Sequence, residues 1–150
     1  MADSLTPERR SWNMSRIKNK DTKPEIYLRR LLFSNGYRYR IAPKEIPGRP
    51  DIYLKKYNTA VFVHGCYWHR HAGCKYAYTP KSRTEFWEKK FSENVKRDQI
   101  VKEDLKQKGI RQLIIWECSI NQMRKNKEIE DSFKDKIEGF LRGEHTLLEI

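Results

Sequence analysis

Apolar residues recur at helical spacing in three stretches of the chain. The first begins at Thr22, where Thr22 and Glu25 have the spacing of a capping box, and it ends before Gly36. The second runs from about residue 82 to 108, and the third ends before Gly143. These patterns predict three helices and give Glu25 a structural role as part of a cap. The second helix is expected to have a dense, solvated charged face and a buried face that contains Trp87, Phe91, Val95, Val101 and Leu105.

Strand-like patterns occupy the segments between these helices. They are residues 37–41, which alternate at the strand period, and the apolar segments 51–54, 59–64 and 110–116. The segment 59–64 is almost continuously apolar, which is typical of a strand buried on both faces. A turn-rich loop precedes Asp51, and pairing of the second and third segments would bring Asp51 within reach of His64.

The order of these elements predicts an α/β domain with a small mixed central β-sheet flanked by helices. We expect residues 21–143 to form this domain and residues 144–150 to form a C-terminal tail. Residues 1–20 are expected to be a basic N-terminal arm. The arm could order on nucleic acid or remain a frayed terminus.

The charge balance favours a polyanionic partner. The chain has 32 Lys and Arg against 20 Asp and Glu, a formal net charge of +12, so nucleic acid is the first candidate. A membrane partner is not expected, because no apolar run approaches the roughly 18 to 20 residues that span a bilayer. The first residues lack the hydrophobic core of a secretory signal, and we expect a cytoplasmic protein associated with the nucleoid.

Residues 64–74 contain three of the four histidines and two of the three cysteines. Thiolate and imidazole are preferred zinc ligands, and Cys66, His71 and Cys74 are spaced so that one loop can surround a tetrahedral ion. Cys118 follows an apolar run and could supply the fourth ligand. Four protein ligands leave no open position for water, so this zinc would be structural.

Four other residues of the same stretch remain available for chemistry or for contact with a ligand: His64, Tyr67, Trp68 and His69. Each of them alone could instead be an ordinary core or loop residue. Histidine exchanges protons near neutral pH, and Asp51 and Glu25 are candidate ligands for Mg²⁺. Together these groups could hydrolyse a phosphodiester bond.

Five ordered segments closely resemble the Vsr endonucleases of very short patch repair. They are Glu25 in the first helix, PGRPD at residues 47–51, VFVHGCYWH at 61–69, RTEFW at 83–87 and IIWEC at 114–118. The resemblance covers nearly the whole chain and implies a restriction-endonuclease-like fold. It implies a Mg²⁺-dependent nick in one DNA strand, on the 5′ side of the thymine in a T·G mismatch that arises from deaminated 5-methylcytosine.

The resemblance also implies a role for each residue of the catalytic site. Asp51 would be the principal Mg²⁺ ligand, assisted by the main-chain carbonyl of Val63, and Glu25 would act through water. His69 would be the general base, and His64 would support the scissile phosphate or the leaving group. The family shares the zinc ligands Cys66, His71, Cys74 and Cys118. Many nucleases of this fold have an acidic-x-Lys motif on the second strand, which this chain and the Vsr branch lack.

Tyr67, Trp68 and Trp87 are implied to insert into the DNA beside the mismatch. The family often has Phe-Trp at the first two positions, and a tyrosine must keep its hydroxyl solvated or hydrogen-bonded. Unstacking costs about a few kcal/mol and is easiest at a mismatch. Trp87 could equally be a core residue of its helix.

Two other classes of protein remain open on the residues alone. One is a zinc-stabilised nucleic-acid-binding module without activity, and the other is a redox or metal sensor that uses Cys66 and Cys74. The resemblance implies a monomer that acts on double-stranded DNA, together with a mismatch-repair factor and a companion cytosine methyltransferase.

Overall fold

The computed structural model describes residues 21–150, so the expected N-terminal arm lies outside the described residues. Within them, one β-sheet is covered by four α-helices, and a short 3-10 turn lies at Lys55–Tyr57. The elements in chain order are α1 (Lys23–Ser34), β1 (Arg40–Ile41), β2 (Ile52–Leu54), β3 (Thr59–His64), α2 (Thr84–Gln107), β4 (Arg111–Trp116), α3 (Glu117–Lys125), α4 (Lys127–Arg142) and β5 (Leu147–Glu149).

The sheet is mixed, as the sequence predicts. Its strand order is β1-β2-β3-β4-β5, in which β1, β2 and β3 are antiparallel neighbours and β3, β4 and β5 are parallel neighbours. The parallel register pairs His64 with Trp116. The segments that follow β3 and β4 therefore begin side by side, at one edge of the sheet.

Helices cover both faces of the sheet. On one face Val61, Leu113 and Ile115 pack with residues from α1, α3 and α4, and on the other face Ala60 and Phe62 pack with Leu105 of α2. This confirms the prediction of a small sheet flanked by helices. None of the helices within residues 21–150 is both long and apolar enough to cross a membrane.

One residue of the predicted buried face of α2 is in fact exposed. Trp87, Phe91 and Leu105 are buried, but Val95 is 39% exposed. The loop that follows β3 contacts the residues on either side of Val95, since Asn94 donates a hydrogen bond to the carbonyl of Trp68 and Asp98 lies against His69. Val95 itself is only partly covered within residues 21–150.

The expectation of a tail at residues 144–150 is wrong for part of that segment. Leu147–Glu149 forms β5, which pairs with β4 in parallel. The side chain of Trp116 also donates a hydrogen bond to Glu149 Oε1 at 2.7 Å. This strand is only three residues long, so its apolar residues Leu147 and Leu148 make too short a run to be recognised as a strand. Helix α3 was also not predicted, because it follows β4 without an intervening loop.

Candidate active site

Asp51 lies immediately before β2, at the end of the turn-rich loop. Its Oδ2 accepts a hydrogen bond of 2.7 Å from the backbone N–H of Val63 on β3. Burial raises the pKa of Asp51 to about 6, and the nearby Glu25 acts in the same direction, although the Val63 hydrogen bond opposes both. The carboxylate is therefore held in a site that disfavours its charge unless a cation is present.

Gly48 allows the loop before Asp51 to pack against α2. Its φ of +77° is in the left-handed region, and a Cβ at this position would lie 2.5 Å from Cγ1 of Val101. Any other residue would push the loop and the helix apart. Gly48 therefore fixes the path of the chain into Asp51.

Glu25 has both a structural and a positional role. Thr22 is the N-cap of α1, and its Oγ1 accepts a hydrogen bond from Glu25 N at 3.5 Å. The Glu25 carboxylate accepts a hydrogen bond from the N–H of Asp21 at 2.9 Å and one from Arg29 at 3.4 Å. The N-cap half of the predicted capping box is therefore present, while the Glu25 carboxylate bonds Asp21 instead of Thr22 and lies buried at the wall of the cleft that contains Asp51.

His64 and His69 form a stacked pair. Their ring centroids are 3.9 Å apart, and the ring planes differ by 3°. Burial, assisted by the neighbouring His69, lowers the pKa of His64 to about 3, so the His64 imidazole is neutral at pH 7. Nδ1 of His69 lies 2.8 Å from Oδ2 of Asp98. When Nδ1–H donates to that carboxylate, Nε2 of His69 is left as a proton acceptor.

Asp98 is the site residue that sequence reasoning missed. It lies on the charged face of α2, which was expected to be solvated, and no spacing or composition distinguishes it from its charged neighbours. Only the packing of α2 beside His69 gives it a partner. Residue patterns along one helix do not reveal such a contact.

One cleft, with a volume of about 240 Å³, collects these groups. Its wall includes the carboxylates of Glu25, Asp51 and Asp98, both stacked histidines and Val63. The same cleft is lined by three cations, Arg49, Arg97 and Lys102. Carboxylates that can hold a hard cation, a histidine oriented as a base, and surrounding positive charge are what hydrolysis of an anionic ester requires.

A second cluster contains Cys66, His71, Cys74 and Cys118, with one ligand atom of each within 4.8 Å of the others. His71 Nδ1 lies 3.6 Å from Sγ of Cys66 and 3.5 Å from Sγ of Cys118. Zn–S and Zn–N bonds of about 2.3 and 2.05 Å at a tetrahedral angle would place sulfur and nitrogen about 3.6 Å apart. The residues therefore fit a tetrahedral metal ion.

The two clusters share an aromatic neighbour. Trp116, at the end of β4, stacks on the His71 ring at a centroid distance of 4.2 Å and contacts the His64 ring edge-on at 5.2 Å. The parallel pairing of β3 with β4 produces this arrangement. It fixes the metal-ligating loop and the stacked histidines relative to each other.

The three candidate intercalating residues lie in one aromatic cluster. Tyr67 contacts Trp68 at a centroid distance of 4.9 Å, and Trp87 lies 6.0 Å from Tyr67 and 5.9 Å from Trp68. Tyr67 and Trp68 are half-buried. Trp87 is only 5% exposed, which favours a core role for it beneath the other two.

Comparisons with known proteins agree with this chemistry. A family model described as "DNA mismatch endonuclease Vsr" matches residues 2–75. The chain is 36% identical over 150 residues to the DNA mismatch endonuclease Vsr of Escherichia coli, which covers all of this chain and 94% of the relative. It is 43% identical to the type II nicking enzyme V.NmeAIP of Neisseria meningitidis, over 86% of this chain and 89% of that protein. A type II nicking enzyme of Xanthomonas oryzae, V.XorIIP, is 42% identical over 82% of this chain and 90% of its own length.

Proposed function

Because the chain belongs to the Vsr family of DNA mismatch endonucleases, we propose that it nicks one strand of a duplex 5′ of the thymine in a T·G mismatch, with Mg²⁺ as cofactor. The protein is a DNA endonuclease of the nicking type. The observation that supports the proposed reaction is the convergence of Asp51, His69 and Asp98 on one cleft that is also lined by three cations. A module that only binds DNA does not need a carboxylate, a histidine and the carboxylate that orients this histidine in one cleft.

Asp51 would hold the Mg²⁺ ion together with the main-chain carbonyl of Val63, and Glu25 would reach it through water. The N–H and C=O of a strand residue point to the same side, so the Val63 carbonyl faces the side on which Asp51 accepts its hydrogen bond. When bound, the ion would supply positive charge that stabilises the negative charge developing on the phosphate oxygens during attack. It also removes the electrostatic cost of the buried Asp51 carboxylate.

The protein side chains supply the proton transfers and the binding of the phosphate. His69 takes the proton from the attacking water at Nε2, while Asp98 holds the ring through Nδ1 and stabilises the positive charge that develops on it. The neutral His64 stacks against His69 and donates a hydrogen bond to the scissile phosphate or to the leaving oxygen. Arg49, Arg97 and Lys102 bind the DNA backbone around the cleft.

We further propose that the Cys66, His71, Cys74 and Cys118 cluster holds a structural zinc and that the domain has a restriction-endonuclease-like fold. Three thiolates and one imidazole select zinc over hard cations such as Mg²⁺. The metal would fasten the loop that contains Tyr67, Trp68 and His69 to the start of α3. One zinc per chain by elemental analysis supports this assignment, and full retention of zinc and stability in Cys118→Ser would contradict it.

Tyr67 and Trp68 would open the base stack at the mismatch. They are held by the same loop as His69, so insertion at the mismatch would bring the adjacent phosphate to the catalytic cleft. A T·G pair is easier to unstack than a matched pair, and this difference contributes to discrimination. Trp87 would support the two rings from below.

A strand-resolved nicking assay tests the proposal. The substrate is a duplex with one T·G mismatch, incubated with Mg²⁺ or with EDTA, and the controls are the matched T·A and C·G duplexes. We expect one Mg²⁺-dependent nick on the 5′ side of the mismatched thymine and none in the matched duplexes. Asp51→Ala and His69→Ala should bind the mismatch without nicking it and should keep their circular dichroism spectra.

Two results would contradict the proposal. Mismatch binding by the wild-type protein without a nick would favour a binding module. Loss of folding in both variants would remove the evidence that Asp51 and His69 are catalytic.

A further inference from the structure

We propose that His64, His69 and Asp98 form a second metal site, which binds a transition-metal ion such as Zn²⁺ or Ni²⁺ and inhibits the enzyme when it is occupied. One ligand atom of each residue lies within 4.8 Å of the other two. The site is distinct from the cysteine cluster and from the Asp51 carboxylate proposed to hold Mg²⁺. Its inhibitory effect rests on the proposed function, but its existence as a binding site does not.

The ligand set selects the kind of ion. Two imidazoles and one carboxylate suit Zn²⁺, Ni²⁺, Co²⁺ or Cu²⁺, whereas Mg²⁺ prefers oxygen ligands and keeps most of its water. Three protein ligands leave at least one position for water. The three residues should therefore bind transition metals in the presence of the Mg²⁺ that the reaction uses.

The arrangement of the side chains is close to that of a metal site. The stacked rings of His64 and His69 are 3.9 Å apart and nearly parallel, so both rings must tilt before the in-plane lone pair of a nitrogen on each can face a common ion. The Asp98 carboxylate already lies 2.8 Å from His69 Nδ1. Metal bonds of about 2.1 Å at tetrahedral angles place ligand atoms about 3.4 Å apart, so the ligand atoms must move by about an ångström as the two rings leave their stack.

An ion can reach this site without unfolding of the protein. All three residues line the cleft, and the side chains of His69 and Asp98 are 31% and 23% exposed. His64 is on β3 and Asp98 is on α2, two regular elements that hold their ligands in place. The cleft also leaves room for the water that completes the coordination.

Coordination would stop the reaction whichever nitrogen of His69 binds the ion. If Nε2 binds, its lone pair can no longer accept a proton from the attacking water. If Nδ1 binds, the hydrogen bond with Asp98 is lost and the ring proton moves to Nε2, which then cannot accept another. In both cases His64 is also withdrawn from the phosphate.

Cobalt(II) titration tests the site without reference to activity. The untagged protein, carrying one zinc per chain, is titrated with Co²⁺ and followed by visible absorption. We expect one additional Co²⁺ per chain with d–d bands and without a thiolate-to-cobalt charge-transfer band. Asp98→Asn should weaken this Co²⁺ binding by about tenfold or more, and His64→Gln should do the same if Asp98→Asn fails to fold.

The fourth histidine, His145, provides a matched control. It is exposed and is not part of either cluster, so His145→Ala should leave the Co²⁺ affinity unchanged. Absence of a second Co²⁺, a thiolate charge-transfer band, or equal affinity in the wild type and Asp98→Asn would each overturn the site.

The inhibitory effect is tested separately, in the nicking assay at constant Mg²⁺. Added Zn²⁺ should abolish nicking, and an added chelator that leaves the first zinc in place should restore it. The Zn²⁺ concentration that halves the nicking rate should match the Zn²⁺ affinity of the second site, as measured by competition with Co²⁺. Nicking that persists with this site occupied would overturn the inhibition. A wild-type protein that binds Co²⁺ but never nicks would instead refute the proposed function alone.

Discussion

At the scale of single residues, Asp51 shows a conflict between stability and activity. The fold holds this carboxylate in a largely buried site beside the carboxylate of Glu25, and its pKa is about 6. This pKa is above the ordinary value of 3.8. Ionised Asp51 therefore destabilises the metal-free fold at pH above 6, whereas below pH 3.8 the protonated group has no such effect.

Asp51→Asn should stabilise the metal-free fold while it abolishes nicking. A shift of about two pH units corresponds to about 3 kcal/mol, and partial solvation reduces this, so we expect the variant to be about 1–3 kcal/mol more stable than wild type at pH 8. The gain should shrink as the pH falls from 6 towards 4. Urea unfolding at pH 8 and at pH 4, in buffer that contains neither EDTA nor Mg²⁺, measures this gain in stability. An Asn variant that is less stable than wild type at pH 8 would contradict the raised pKa.

At the scale of elements, Arg70 joins the aromatic loop to the segment that follows the metal cluster. Its guanidinium donates hydrogen bonds to the carbonyls of Tyr67, Ala77 and Tyr78 at distances of 3.1, 2.7 and 2.9 Å. It also lies 3.9 Å above the ring of Phe91 on α2. One side chain thus connects the loop to two other parts of the protein.

Arg70→Met should weaken both stability and mismatch discrimination. The methionine keeps some packing on Phe91 but leaves several carbonyls without their donor, and we expect a loss of about 2–3 kcal/mol. The loosened Tyr67 and Trp68 should also lower the ratio of T·G to T·A affinity. Unfolding and competition binding experiments measure the two effects.

Arg38→Met is the matched control for this experiment. Arg38 also lies over a phenylalanine ring, at 4.2 Å from Phe33, but within residues 21–150 it donates only to the carbonyl of Tyr37, and it is exposed. This variant should lose less than about 0.5 kcal/mol. Equal effects in the two variants would mean that the hydrogen bonds of Arg70 are unimportant.

Helices α1 and α4 are joined by a hydrogen bond from the Tyr27 hydroxyl to Glu130 Oε2. This bond contributes most to lowering the pKa of Glu130 below its ordinary value of 4.5. A lowered pKa contributes stability that is present above the unfolded-state value and is lost as the pH falls through the folded-state value.

Tyr27→Phe should therefore cost about 1 kcal/mol at pH 7 and less below pH 4. Tyr53→Phe is the control, because the Tyr53 hydroxyl donates to the neutral side chain of Asn58 at 2.7 Å. Its cost should not change over this pH range. A pH-independent difference between wild type and Tyr27→Phe, measured by urea unfolding, would show that Glu130 does not contribute in this way.

The elements also show which features can be recognised in a sequence. The cysteine and histidine ligands stand close together in one loop, and Cys118 follows an obvious strand, so their joint placement could be predicted. Asp98 and β5 could not, since each depends on a neighbour far away in sequence. Val95 fits the helical stripe of α2, but the stripe does not tell which side of the helix the loop after β3 contacts.

At the scale of the whole molecule, the net charge of +12 should govern affinity for DNA. The cleft by itself is lined by three cations. Each phosphate that is neutralised contributes about −0.9 to the slope of log K against log salt concentration. We expect a slope of about −3 or steeper, measured by fluorescence anisotropy with EDTA present. A flat salt dependence would show that phosphate contacts are minor.

The cleft takes its residues from widely separated parts of the chain, and this has a consequence for the order of folding. Glu25 comes from α1, Asp51 from the entry to β2, and Asp98 from α2, while β3 and β4 pair only after α2 has crossed from one to the other. Contacts of such high sequence separation require the closure of long loops and are slow to form. A partly folded chain or a proteolytic fragment without α2 lacks the partner of His69, so the capacity to cut DNA arises only when the whole domain has assembled.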